Sequence, residues 1–444
     1  MSSPGNRYPP SVNRSRPSIG WVLTNGFVAF AFWLLSRALI ALLWSLEETF
    51  IDHDVRYYYW QLEGNGLDGA LVEYPTPIAV LLDGIHLSVG RSEDAYVISF
   101  VLLMAVLDGA ATIWLWRSYS RQAAVYWSAY TFCIGSLIWF RIDLLPAIAV
   151  LAGLAFVSSR PFASGAAVAL GAATKLWPAM LIAPMLGTDR LGKRRGLGFA
   201  IVGGVLGLGS LAVFGWTRSI SPVTWQSDRG LQIESIVATI PMIRHAFGRP
   251  GEYFTELSQY NAWEIFGPGV QSWLAAADWL LGGSVLLALV LGWLIGFGGA
   301  GLPGHKLSNA NDPARMVART HAIVLAQVAL ISMTIVANKT FSPQYMIWLG
   351  APLTILVALP LARRDRIDAR WLAILGLICA VLTHLIFPLN YAGLIDQQVA
   401  DQGDTVRLAV RNLLVIGLCA AAVTMAIRSA WRIGRDDPQL VSSH

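Results

Sequence analysis

Long apolar runs, punctuated by short clusters of Arg and Lys or of Gly and Pro, recur along the whole chain. A helix crossing the hydrocarbon core needs about 20 mainly apolar residues, and only helices or closed barrels satisfy every backbone polar group in lipid. The pattern therefore predicts twelve helical spans, near 20–45, 95–116, 122–140, 143–158, 162–174, 176–187, 197–215, 272–298, 318–337, 345–361, 371–390 and 406–427. The first follows Arg7, Arg14 and Arg16 and resembles a signal sequence. Its apolar run from Trp21 to Leu46 is too long for one, contains Arg37 and lacks a small-residue cleavage site, so a retained span is expected. The predicted fold class is an all-α polytopic membrane protein forming a single integral membrane domain over 1–444.

The fifth and sixth spans follow from charge. Phe162 to Gly187 is one unbroken apolar run, flanked by Arg160 on one side and by Arg190, Lys193, Arg194 and Arg195 on the other. Cytoplasmic loops carry the Lys and Arg excess, so both flanks belong inside and the run must cross an even number of times. It is long enough only for two half-spans turning near Lys175 and Pro178, and non-helical backbone at such depth survives only where protein or a cavity surrounds it. The same rule places both termini, Arg117 with Arg121, His305 to Arg319, Arg363 to Arg370 and Arg428 to Arg435 in the cytoplasm. Glu47, Glu48, Asp52, Asp54 and the 396–404 loop fall outside. Two outer loops, about 47–94 and 216–270, are long and rich in aromatic and charged residues, so they are expected to carry the active site of a multi-pass cell-membrane protein.

Composition agrees. Hydrophobic residues make up 55% and charged residues 13% of the 444 residues, against roughly 25% charged in soluble domains. The net charge of +5 sits in short loops and not on one basic face, which argues against a nucleic-acid partner. Cys133, Cys379 and Cys419 lie in apolar runs and imply neither a disulfide framework nor a metal site. The seven histidines show no metal-ligand spacing, and only His53, between two aspartates, stands near candidate chemistry. No P-loop or dinucleotide fingerprint is present, so a nucleotide-sugar donor is not expected.

The first outer loop reads Ile51-Asp52-His53-Asp54-Val55-Arg56-Tyr57-Tyr58-Tyr59-Trp60, then Glu73-Tyr74-Pro75-Thr76-Pro77. Carboxylates among aromatic rings suit sugar chemistry: rings stack on pyranose faces, and a carboxylate can take the proton of an attacking hydroxyl. On composition alone, Asp52 and Asp54 serve equally well as ordinary solvated loop acids.

The order Asp54-x-x-Tyr57-Tyr58, Gly64 or Gly66, then Glu73-Tyr74-Pro75 resembles the first outer loop of glycosyltransferase family 87, membrane mannosyltransferases of the GT-C fold that use polyprenyl-phosphate-mannose. Arg141-Ile142-Asp143-Leu144-Leu145-Pro146, Thr174-Lys175-Leu176-Trp177-Pro178 with Ala183-Pro184, and Asn338 to Trp348 resemble further segments in the same order. Arg229 to Ser235 is similar to an amphipathic helix of the long loop. The resemblance spans roughly 50–350. It departs from the pattern at Thr76, where a second proline commonly follows Tyr-Pro.

The resemblance implies Asp54 as general base, with Asp52 the lesser candidate, and an inverting transfer of a sugar, expected to be mannose, needing no metal or cofactor. The partners it implies are a polyprenyl-phosphate-sugar donor, a glycan or glycolipid acceptor, and membrane lipid. Tyr57, Tyr58 and Glu73 are candidate sugar contacts, with Glu73 also able to orient Arg56. A lipid phosphate needs a nearby cation. Lys175 within an apolar run, Arg229 and Lys339 are candidates for it, and Gln344 and Tyr345 lie at the same height. Arg141 and Asp143 are expected to pair with each other or with another span, and Arg37 with Asp108 structurally. The competing reading is a twelve-span transporter or flippase, which ordinarily shows repeated halves and a midplane site. No internal repeat is evident here.

Overall fold

The computed structural model describes residues 25–46, 50–225, 229–300, 302 and 313–434. Arg7, Arg14, Arg16, Glu47, Glu48, His305, Arg435 and the extreme C-terminus lie outside the described residues. The chain is almost wholly helical. In order it forms α1 (Gly26–Leu46), α2 (His53–Gly69), α3 (Thr76–Val89), α4 (Glu93–Ser118), α5 (Arg121–Ile134), α6 (Leu144–Ala155), α7 (Pro161–Thr174), α8 (Arg190–Thr224), α9 (Thr239–Phe247), α10 (Val270–Gly296), α11 (Pro313–Ala337), α12 (Met346–Ala358), α13 (Arg363–Ile386) and α14 (Gln402–Gly434). A 3-10 helix, Trp177–Met185, lies between α7 and α8, and the short strands β1 (Phe254–Leu257) and β2 (Trp263–Phe266) lie between α9 and α10.

Every apolar run of the sequence is helical, but the lengths differ. Among the described residues, seven helices (α1, α4, α8, α10, α11, α13 and α14) are long and apolar enough to cross a membrane. Where twelve spans are expected, the other five runs form α5, α6, α7, the Trp177–Met185 helix and α12, each shorter than one full crossing. The protein is thus an α-helical, membrane-embedded bundle. Its centre is α11, buried along most of its length, while α8 is largely exposed to the surroundings.

The break in the 162–187 run has a visible cause and shape. Helix α7 ends at Thr174, Lys175 is extended, and Pro178 and Pro184 lie within the following 3-10 helix, where their missing N–H groups preclude a regular α-helix. Helices α7 and α8 pack at backbone distance: a Cβ on Gly165 would strike the Arg195 carbonyl, and one on Gly198 the Phe162 carbonyl. Arg195, assigned by sequence to a cytoplasmic cluster, is buried and donates to the carbonyls of Met185 and Val157. Arg37 does bond Asp108, at 2.6 and 2.8 Å, with Thr131 and Trp127 completing the network.

The two long outer loops are structured. The first contains α2 and α3. Thr76, the departure from the family pattern, opens α3, and its hydroxyl bonds Ser210 on α8. The second loop holds α9 and the hairpin over a small separate core that includes Leu231, Ile233, Met242 and Ile265. The segment expected to be an amphipathic helix, Arg229 to Ser235, is instead extended as far as Gln232 and then turns at Ile233 and Glu234, with Ser235 N–H bonding the Gln232 carbonyl. Its backbone bonds β2 at Ile233 N to Trp263 O (3.1 Å) and Ile265 N to Leu231 O (2.9 Å), and helical geometry begins only at Ile236. Long-range strand pairing outweighs the local pattern here.

Candidate active site

Helix α2 starts directly after Asp52, so Asp54, Tyr57 and Tyr58 follow at i, i+3 and i+4 and share one face. That face borders a cavity of about 1010 Å³. Other α2 side chains are engaged elsewhere: Arg56 bonds Asp52 (2.8 Å), Glu93 (2.5 Å) and Asp94 (3.2 Å), so Glu73 does not orient it. His53 borders the cavity while its ring meets Trp60 edge-on.

The chain then turns back through Leu71, whose φ of 52° is rare for a bulky residue. Arg218 of α8 fixes this turn, donating to the carbonyls of Ala70, Leu71 and Tyr74, and Ser221 donates to Val72. The turn sets Glu73 beside Tyr57, and Tyr74 edge-on to Tyr58. Burial raises the Glu73 carboxyl above its usual range, opposed by the Tyr57 hydroxyl and by Arg218 and Arg229.

Arg141 and Asp143 do not pair with each other. Arg141, 4% exposed, meets Asp54 at 3.0 Å, and donates to the carbonyls of Ile51 (2.7 Å) and Phe140 (2.8 Å). Asp143, 1% exposed, takes both Lys175 Nζ (2.8 Å) and Trp348 Nε1 (2.6 Å). Lys175 also sits over the rings of Tyr345 (4.7 Å) and Trp348 (5.5 Å), and Trp177, Trp348 and Tyr345 form a continuous stack. The extended backbone at Lys175 is what turns its side chain into this assembly and away from a helix surface.

The extended segment carries Arg229, whose guanidinium lies over the Tyr260 ring at 5.7 Å. Gly230 donates to the Glu264 carboxylate, which occupies the space a Cβ would need. Gln232 ties this segment to the next: its N–H donates to the Lys339 carbonyl at 3.0 Å, and its side chain bonds the Ser342 hydroxyl. Beneath both, Arg411 of α14 donates to the Glu234 carbonyl and carboxylate and lies over the Phe341 ring. Burial pushes the Glu234 carboxyl up to about 7 against the opposing pull of Arg411.

All nine residues singled out from sequence border this one cavity: Asp54, Tyr57, Tyr58, Glu73, Lys175, Arg229, Lys339, Gln344 and Tyr345. Sequence reasoning missed the role of Arg141 as the partner of Asp54, missed Arg218 and Arg411, and gave no role to Glu234 or Trp348 although both lie in segments it singled out. Arg411 had a signal, a charge inside the last apolar run. Leu176, Trp177, Val223, Leu281 and Leu389 give the cavity an apolar flank, and Gln259, Tyr260 and Asn261 of the hairpin turn a neutral polar one.

A membrane-embedded helical bundle with ion-paired carboxylates, buried cations and stacked aromatic rings around one large cavity has the makeup of a sugar-handling membrane enzyme. The glycosyltransferase family 87 model matches residues 72–334. The chain belongs to that family and is a membrane glycosyltransferase. Glu73, Lys175 and Arg229 lie within the matched stretch, while Asp54, Tyr57, Tyr58, Lys339, Gln344 and Tyr345 flank it. Neither the curated proteins nor the solved structures contain a significant match to the chain.

Proposed function

We propose that the protein transfers a sugar, mannose by the family resemblance, from polyprenyl phosphate to a hydroxyl of a glycan or glycolipid at the extracytoplasmic face, with inversion. The observation that carries this reading is the convergence of Asp54 with Lys175, Arg229 and Lys339 on one cavity that also has an apolar flank. A lipid phosphate needs cations and an apolar path; an attacking hydroxyl needs a base. The lining comes from the C-terminal ends of α8, α11 and α13 and the N-terminal part of α10. These are the ends that the charge bias assigns to the outside. Polar groups gathered at one end of the bundle favour an interfacial enzyme over a midplane transport site.

In the reaction, Asp54 takes the proton of the acceptor hydroxyl as its oxygen bonds to the anomeric carbon. The bond from that carbon to the phosphate oxygen breaks, and its electron pair leaves with the polyprenyl phosphate. Arg229 and Lys339 offset the charge on the departing phosphate, with Lys175 adding an N–H donor from its place on Asp143. One displacement inverts the anomeric centre. Arg141 holds the Asp54 carboxylate from behind, through its anchors on Ile51 and Phe140.

The test is transfer of labelled mannose from polyprenyl-phosphate-mannose by membranes carrying wild type or Asp54→Asn. Loss of a general base lowers the rate by roughly 10²–10⁴-fold. Transfer by both proteins moves the base to Asp52 or Glu73. No transfer by wild type, when a panel of other lipid-phosphate sugars also fails, removes the reading.

A further inference from the structure

The hairpin of β1 and β2 ends in the turn 258–262, and this turn is locked. Ser258 N–H donates to the Ala262 carbonyl at 2.9 Å, and Asn261 N–H to the Ser258 carbonyl at 3.0 Å. Asn261 takes a φ of 54°, in the left-handed region that Asn tolerates better than most residues. The base of the hairpin is tied to the segment carrying Arg229, through the bonds of Gly230 N–H to Glu264 at 3.1 Å and of Ile265 N–H to Leu231 at 2.9 Å. The tip is tied to the same segment, since the Arg229 guanidinium lies over the Tyr260 ring at 5.7 Å. The tip therefore holds a set place beside Arg229.

The tip presents accessible polar groups to the cavity but no charge. Gln259 and Asn261 are exposed and line the cavity, and their carboxamides bond nothing among the described residues. Tyr260 and, from the end of α8, Trp225 line it as well; both are half-buried, and their rings meet edge-on at 5.4 Å and 86°. A carboxamide carries two donors and an acceptor. That inventory matches sugar hydroxyls, each of which donates and accepts. Aromatic ring faces carry partial negative charge and suit the C–H face of a pyranose.

If the proposed function holds, Asp54 serves the attacking hydroxyl, Arg229 and Lys339 the phosphate, and the apolar flank the lipid chain. A neutral wall of amides and rings suits none of these. An acceptor glycan has a part that it does suit: the sugar unit beyond the one attacked. We propose that Gln259, Tyr260, Asn261 and Trp225 form a subsite for that second, neutral sugar of the acceptor. The enzyme then favours an acceptor of two sugars over an acceptor of one.

The experiment measures transfer from the lipid-phosphate sugar that wild type uses to octyl mannoside and to octyl dimannosides of each linkage. Wild type is compared with the double variant Gln259→Ala, Asn261→Gly. Glycine accepts the positive φ of position 261, and neither native side chain bonds the protein, so the double variant is expected to fold. With wild type, one dimannoside is expected to exceed octyl mannoside about 10-fold in kcat/KM, the scale of one or two neutral hydrogen bonds. In the double variant that ratio falls to near one, while donor KM and the rate on octyl mannoside stay as they were. Tyr260→Ala is expected to lower the ratio and also to raise donor KM, because it withdraws the ring beneath Arg229.

Three results overturn the proposal. Wild type shows no preference for any dimannoside; or the double variant loses equally on both acceptor lengths, which places the tip at the reacting sugar; or its donor KM rises, which places the tip at the donor. If wild type transfers from no lipid-phosphate sugar, the transferase reading fails first. Calorimetric binding of methyl dimannosides then decides the subsite alone: binding about tenfold weaker in the double variant sustains it, and equal or absent binding in both proteins overturns it.

Discussion

Arg141 Nε meets the Asp54 carboxylate at 3.0 Å, while its Nη1 donates to the carbonyls of Ile51 and Phe140. Two of these contacts, to Asp54 and Ile51, join the start of α2 to the loop before α6, so the position of Asp54 is set by a side chain far from it in sequence. Two residues on, Asp143 holds Lys175. One short loop thus positions both a carboxylate and a cation of the cavity.

Arg141→Lys keeps a charge at this place but loses the fork. The protein is expected to remain folded, with kcat down about 10-fold and donor KM little changed, because the contact to be lost aims Asp54 and does not hold the donor. Steady-state kinetics on both variables check this; a change confined to KM contradicts the positioning role. Arg141→Ala is expected to lower stability as well, since it leaves Asp54 without its cation and the Ile51 and Phe140 carbonyls without their donor.

Lys175→Met leaves Asp143 buried without its cation, so both stability and activity are expected to fall. Adding Asp143→Asn removes the orphaned charge. The double variant should regain most of the thermal stability in detergent while transfer stays at least about 10-fold down. Recovery of activity along with stability would show that Lys175 serves only Asp143.

Arg229→Ala and Lys339→Ala are each expected to raise donor KM by on the order of 10-fold, the scale of one charge-assisted bond to phosphate. Neither should alter acceptor KM much. Varying the donor concentration at fixed acceptor, and the reverse, gives both constants. Gly230→Ala is expected to resemble Arg229→Ala, because its Cβ collides with the Glu264 carboxylate and shifts the segment that carries Arg229.

Glu234 makes stability depend on pH. Its carboxyl titrates at about 7 in the folded protein against an ordinary 4.5. The folded state therefore holds this proton over a range where the unfolded chain has released it. The stability it brings is complete below about 4.5 and is lost as pH rises through about 7. Melting temperatures measured across that window should decline more steeply for wild type than for Glu234→Gln. Parallel curves would place the titration elsewhere.

What the sequence disclosed is what short-range pattern can carry. Apolar runs and their flanking charges located the helices, and the Arg160 and 190–195 flanks located the break at Lys175. Aromatic and charged residues in the outer loops pointed to the cavity-lining positions on α2. Helix lengths were less legible, because the ends of α5, α6 and α12 depend on packing within the bundle. Among partners, Arg37 with Asp108 was legible because both are charges inside apolar runs, but nothing local to Arg141 indicates Asp54, and nothing local to Glu234 indicates Arg411. The Arg229–Ser235 segment misled for the same reason, since its extended first half is set by pairing with β2 and not by its own residues.

Helix α8 is the most lipid-exposed of the long helices, and it bends at Gly215, where φ is 73°. One turn beyond that bend, Arg218 grips the carbonyls on both sides of Glu73. The bend sets the direction of the short arm of α8, so a single glycine decides where Arg218 meets the Glu73 turn and thereby one wall of the cavity.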